Sequence, residues 1–146
     1  MKQHIQGMKI AALASTLAIL LFCSGLAARP STRDLNCTAA ASAYTRTTLY
    51  FGLAQKHGMV SEADWQAFLL EQVTPRFPTG LTVWEALGQW QQPDGAIVRE
   101  PAKVLLLIQR DTSGGRDAVR EIINRYKQRF QQDSVLWETT AVCAAF

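Results

Sequence analysis

Apolar and polar positions alternate through Thr47–Leu53, where Leu49, Phe51 and Leu53 share one side of a β-branched and aromatic run. That period of two predicts a strand. A loop with His57 and Gly58 follows. Ser61 stands where an N-cap is expected, with Asp64 placed to return its hydrogen bond and Val60 and Trp65 at the staple positions. Behind it Trp65, Phe68, Leu69 and Val73 recur at helical spacing until Pro75 ends the helix. Leu81–Gln91 and Ala96–Arg110 read as two long strands around Gln92-Pro93-Asp94-Gly95, where proline presets the first turn angle and glycine tolerates the last. Pro101 lacks an amide hydrogen and is expected at an edge or a bulge. After a break at Asp111–Gly115, a second helix carries Val119, Ile122, Ile123, Tyr126 and Phe130 on one stripe. Ser134–Ala144 is the last strand, alternating Val135, Trp137, Thr139, Ala141 and Cys143.

The order strand, helix, strand, strand, helix, strand predicts an α+β fold, the ferredoxin-like βαββαβ sandwich. It has a four-stranded antiparallel sheet with two helices on one face. There the last strand lies antiparallel beside the first, so its end near Cys143 meets the segment just after Cys37. A Cys37–Cys143 disulfide is expected from that topology. The alternative is two free thiols, one buried and one exposed.

Upstream, Lys2 and Lys9 precede the apolar stretch Ile10–Cys23 and the small residues Ser24–Ala28. This is the order of a secretory signal peptide, residues 1–28, cleaved near Ala27 or Ala28. The stretch is shorter than the ~18 apolar residues of a membrane span, so no transmembrane span is expected after cleavage. A periplasmic or secreted product would keep its disulfide. A competing reading makes Cys23 the lipidated cysteine of a membrane-anchored lipoprotein. Against it stands Phe22, too large for the small residue such a signal needs before its cysteine. Residues 29–45 are polar and small and read as a tether; 46–146 read as a single domain of ordinary size. The leader takes two of the fifteen Lys and Arg and none of the twelve Asp and Glu, so the chain downstream is close to neutral. Nucleic acid is therefore not an expected partner.

Several segments resemble one family: Leu49-Tyr50-Phe51-Gly52, Val60-Ser61 with Trp65, Val73-Thr74-Pro75-Arg76-Phe77-Pro78, Gly80-Leu81-Thr82-Val83, Gly88-Gln89-Trp90 and Arg99-Glu100. They are similar to small exported bacterial proteins catalogued as domain of unknown function 3574, most specifically in the Thr-Pro-Arg-Phe-Pro run followed by Gly-Leu-Thr. The resemblance covers most of Thr47–Arg110. It implies a bacterial source, export and one compact domain. It brings no activity, and hence no catalytic residues.

The chemistry-bearing residues are sparse. No phosphate-binding glycine loop and no Gly-x-Ser-x-Gly elbow occurs. With the cysteines paired, His57 is the one histidine downstream of the leader, so neither a metal set nor a cofactor is expected. His57 reads as a general base or as a solvated loop residue. Arg76, between Pro75 and Pro78, is placed to clamp an anion or to cap the carbonyls of the helix before it.

Val104–Ile108 is apolar at every position, which argues that both its faces are covered. With two helices on one face, a second copy, an envelope protein partner or a ligand must cover the other. With Leu81 and Val83 toward the helices, Trp84 and Trp90 face outward. Two-residue pairing about Pro93-Asp94 adds Ile97, Arg99 and Lys103 to their side, whereas a glycine bulge at Gly95 exchanges that partner set. Two functions follow. The first is a non-enzymatic binding or dimerisation module, a homodimer through a face with Trp84, Trp90, Arg99 and Lys103. The second is a small-molecule binder or cofactor-independent enzyme with a cleft between the facing sheets of a dimer, using Glu85, Glu100, Arg99 or His57. The first is favoured, because no paired acid–base constellation stands at a telling spacing.

Overall fold

A computed structural model describes residues 35–146. The expected signal peptide, Cys23 and the first part of the expected tether lie outside the described residues. The chain runs β1 (Ser42–Gly52), a minimal hairpin of β2 (Ala54–Gln55) and β3 (Gly58–Met59), α1 (Glu62–Phe68), β4 (Thr82–Gln91), β5 (Ile97–Gln109), α2 (Ser113–Phe130) and β6 (Leu136–Ala144). The four long strands form one antiparallel sheet in the order β4-β5-β1-β6. This is the ferredoxin-like arrangement, with β1 and β5 in the middle.

Both helices pack on one face. From the strands come Leu49, Phe51, Leu105 and Leu107; from α1, Trp65 and Phe68; from α2, Val119, Ile122, Tyr126 and Phe130. Phe51 is the hub of this core, with ring centroids 4.5 Å from Tyr126 and 5.2 Å from Trp65. Tyr126 also donates its hydroxyl to the Gly52 carbonyl at 2.7 Å, tying α2 to the end of β1. Burial pushes its phenol well above the usual tyrosine range.

The helix ends follow their local chemistry. Ser61 Oγ accepts the Asp64 amide at 3.1 Å and donates to the Asp64 carboxylate at 2.6 Å. Beyond Phe68 the helix widens into a π-helical stretch, Leu69–Val73, and the Thr74 amide reaches five residues back to Leu69. Thr112 caps α2 by accepting the Gly115 amide, so the helix begins at Ser113, within the segment Asp111–Gly115 expected as a break.

Two strand boundaries differ from expectation. β1 begins at Ser42, and the last positions of the expected tether are strand: Ser42 pairs with Ala144 and Ala43 with Cys143. This pairing is backbone to backbone, and residues 42–46 show no apolar alternation to announce it. The loop around His57 contains the short β2–β3 pair, turned at Gly58 with φ +133°. Pro101 lies in the central strand β5, in register with Leu87 of β4, and not at an edge or a bulge as expected. It stands one position past the end of β1, where Gly52 pairs with Ala102, so its missing amide removes no bond to β1. The Cys37–Cys143 disulfide is formed, with Cα atoms 5.6 Å apart and a sequence separation of 106.

Candidate functional site: the open face of the sheet

Register decides which residues reach the uncovered face. In the β4–β5 hairpin Gln91 pairs with Ile97, the Gln92 amide bonds Ala96 O, and the Gly95 amide bonds Gln92 O. Gly95 takes φ +89°, a conformation that favours glycine. The connection is therefore a three-residue loop, and the bulged register holds. Trp84 faces Val104 and Trp90 faces Val98, while Lys103 faces Glu85 and Arg99 faces Gln89. Since neighbours along a strand point to opposite faces, Arg99 and Lys103 project from the side opposite the two tryptophans. The expectation that these four share a face, together with Ile97, is corrected on this ground. Leu81 and Val83 pack against the helix-side core as expected.

The open face has a tall end and a low strip. Trp84, Val104, Tyr50 and Leu136 form one cross-strand row. Val104 is only 1% exposed, covered by its own neighbours, whereas Trp84 and Trp90 are 43% and 46% exposed and Leu136 63%. The run Val104–Ile108 is thus buried on its helix side, and Leu106 and Ile108 stay half-covered on the other. Next to that row lie Ala86, Ala102 and Gly52, a strip of small residues.

At the far side of the strip, Glu100 leans over Gly52 and accepts the Ala54 amide at 2.7 Å. A Cβ on Gly52 would come within 2.5 Å of Glu100 Oε1, so any side chain there would push the carboxylate away from the Ala54 amide. Tyr50, Trp90, Val98, Glu100 and Leu136 contribute to a crevice of about 730 Å³ at this end of the face. Tyr50 donates to Glu138 Oε1 at 3.1 Å, and that bond to a carboxylate, with some burial, holds its phenol above the usual range. The crevice thus offers an acceptor at Glu100 and a neutral phenol, between aromatic walls.

The remaining candidates lie elsewhere. Lys103 is 6% exposed on the helix side and donates to Glu62 Oε2 at 2.6 Å and Glu85 Oε1 at 2.9 Å. These bonds raise the Lys103 pKa, and the bond from Lys103 lowers that of Glu62. Lys103 is a stem folded into the protein with its charge delivered to two exposed carboxylates. Arg99 donates to Gln89 Oε1 at 2.7 Å, although it also borders the crevice. His57 is exposed in the β2–β3 turn and is not among the residues that line the crevice with Glu100 and Arg99. Arg76 Nη1 donates to Gln72 O at 2.7 Å, so it does cap the last helical turn. Sequence reasoning missed Tyr50, Glu138 and the Gly52–Glu100 approach; only the strand register brings them together. Among the described residues no group of three or more His, Cys, Asp or Glu is placed to hold a metal ion.

Fold and face together define an α+β sandwich of ferredoxin-like topology, closed by a disulfide and, among the described residues, bare on one side of its sheet. Residues 46–146 match the family model described as protein of unknown function (DUF3574), and the chain belongs to that family. Two solved structures of a phage SAM lyase share the fold. The one in complex with S-methyl-5'-thioadenosine aligns with a TM-score of 0.55 at 12% identity, covering 77% of this chain and 95% of that one. The apo form aligns at 0.51 and 12% identity, covering 71% and 90%. At that identity the likeness is one of fold alone. No curated protein matches the chain.

Proposed function

We propose that this protein is an exported association module that pairs with a second copy of itself through the open face of the sheet. The observation that carries the reading is the half-exposed Trp84 and Trp90 on a face that neither α1 nor α2 covers. Aromatic residues in such patches are favoured at interface centres. A sheet of four strands about ten residues long offers on the order of 600 Å² in projection. That is close to the ~800 Å² per partner of a standard interface. The charges suit a two-fold pairing, in which each contact occurs twice. Arg46 and Glu138 both lie on this face in adjacent strands, so a rotated copy would set each against the other's opposite charge. Export is supported by the order of basic, apolar and small residues in 1–28 and by the Cys37–Cys143 bridge.

Light scattering across the micromolar range is the test. A dimer is expected, with Trp84→Ala and Arg46→Glu each shifting it to monomer at a melting temperature close to wild type. Glu138→Arg should restore pairing to Arg46→Glu. A wild-type chain that stays monomeric overturns the proposal.

A second reading draws on the likeness to the phage SAM lyase and on the crevice beside Glu100. In it the facing sheets enclose a small molecule, with Glu100 and Tyr50 as its polar contacts. Calorimetric titration with SAM and with S-methyl-5'-thioadenosine separates the two: binding that Glu100→Gln abolishes favours the enzyme or binder, and no heat with either removes it.

A further inference from the structure

A second cleft, also about 730 Å³, opens at the other end of β5 from the hairpin turn. Its floor and walls are apolar: Phe77, Pro78 and Ile108, with Tyr44 and Phe146 edge to face at 5.4 Å. Among the described residues its charged side chains are Arg76 and Arg110, and no Asp or Glu side chain lines it. Nearby Asp111 is held by Arg116.

The chain fixes both arginines. The amides of Arg76 and Phe77 both bond Val73 O at 3.0 Å, Phe77 is buried, and the rings of Pro75 and Pro78 stiffen the connection. Arg76 spends Nη1 on Gln72; among the described residues Nε and Nη2 meet no partner. Arg110 lies with its guanidinium 5.3 Å from the centre of the Tyr44 ring, and among the described residues it forms no ion pair. Capping the helix and presenting a free fork of donors are thus compatible uses of Arg76.

The third wall is the start of α2. Thr112 takes the amides of Gly115 and Arg116, leaving those of Ser113 and Gly114 without a helical partner. Gly114 brings no side chain, and a Cβ built on it would meet nothing within 4 Å. Two arginines and no acidic side chain among the described residues, in a largely apolar cleft of this volume, suit a small organic ligand with a negative head.

We propose that this cleft binds a small organic anion, its carboxylate or phosphate held between Arg76 and Arg110 and its flat apolar body against Tyr44, Ile108 and Phe146. Trp84 is not part of this site, and although Ile108 stands beside Arg46 on the open face, Arg46→Glu, the variant expected to be monomeric, should bind the same anions.

The test is an amide NMR titration of the exported chain with phenyl phosphate, benzoate and neutral benzyl alcohol. Phenyl phosphate or benzoate should shift the amides of Ile108, Gly114 and Gly115 in a saturable way, and the tighter of the two identifies the head. Arg76→Gln and Arg110→Gln should each weaken binding at least tenfold. Gly114→Glu places a carboxylate in the cleft at a position where helices favour it, so binding should vanish while the melting temperature holds or rises. The proposal is overturned by no saturable shift up to about 10 mM of either anion, which is weaker than any useful affinity. Equal shifts with benzyl alcohol, or undiminished binding in Gly114→Glu, overturn it as well.

Discussion

The two faces of the sheet use the same four strands and alternate residues of the same segments, yet they are built differently. On the helix side, Phe51 is enclosed by the rings of Trp65, Phe68 and Tyr126. On the open side, aromatic residues stand apart, with Trp84 and Trp90 separated by the small residues Ala86 and Gly88. The first face is complete within one chain. The second is only as buried as neighbouring side chains can make it, which is enough for Val104 and not for Trp84. The contrast separates what this sequence needs in order to fold from what it leaves available for contact.

That contrast can be broken most sharply at Phe51. Phe51→Ala should cost about 3–5 kcal/mol in urea unfolding, because the cavity left among three rings cannot collapse. Trp84→Ala should cost about 1 kcal/mol or less, as expected of a half-exposed position. Equal costs would mean that the open face is core.

The next effect is covalent and belongs to neither face. Replacing Cys37 and Cys143 together by serine should lower stability by about 2–4 kcal/mol, most of it through the freer unfolded chain. Denaturation of the wild type with and without reductant checks this, and a loss confined to the double variant would contradict it.

The smallest effect sharpens the comparison at its margin, where Lys103 on the helix side reaches out to Glu62 and Glu85. Lys103→Met keeps the stem, and the exposed partners limit the expected loss to about 1 kcal/mol. The pH dependence has a definite sign. The Glu62 pKa is lowered in the folded protein, so its contribution is present above the ordinary carboxylate range and is lost as pH falls through the lowered value. The Lys103 pKa is raised, so its contribution is present below the ordinary lysine range and is lost as pH rises through the raised value. Melting curves between these limits should therefore diverge between wild type and Lys103→Met and converge in acid and in strong alkali. A constant difference across pH would show that packing of the stem, not the charge, matters.

Much of the fold was legible because its signals are local. The Ser61 cap, the Val119–Phe130 stripe and the alternation of Leu49 and Phe51 each need only a few neighbouring residues. Even the disulfide followed once the order of elements fixed which strand ends meet. The candidate site was less legible, because it depends on register, and register here turns on the single residue Gly95. Its left-handed conformation sends Lys103 and Arg99 to one side and Trp84 and Trp90 to the other. The Gly52–Glu100 approach joins residues on different strands through that same register. The start of β1 at Ser42 left no trace in the apolar pattern, since it is held by its ladder to β6.

The bridge also settles how the domain is attached to whatever precedes it. Cys37 is joined to the sheet twice, by the peptide through the exposed turn at Ala39–Ala40 and by sulfur to β6. A protease that nicks that turn severs one route and leaves the other intact. If the upstream segment is fastened to a surface, clipping there alone releases nothing, and shedding takes a reductant as well.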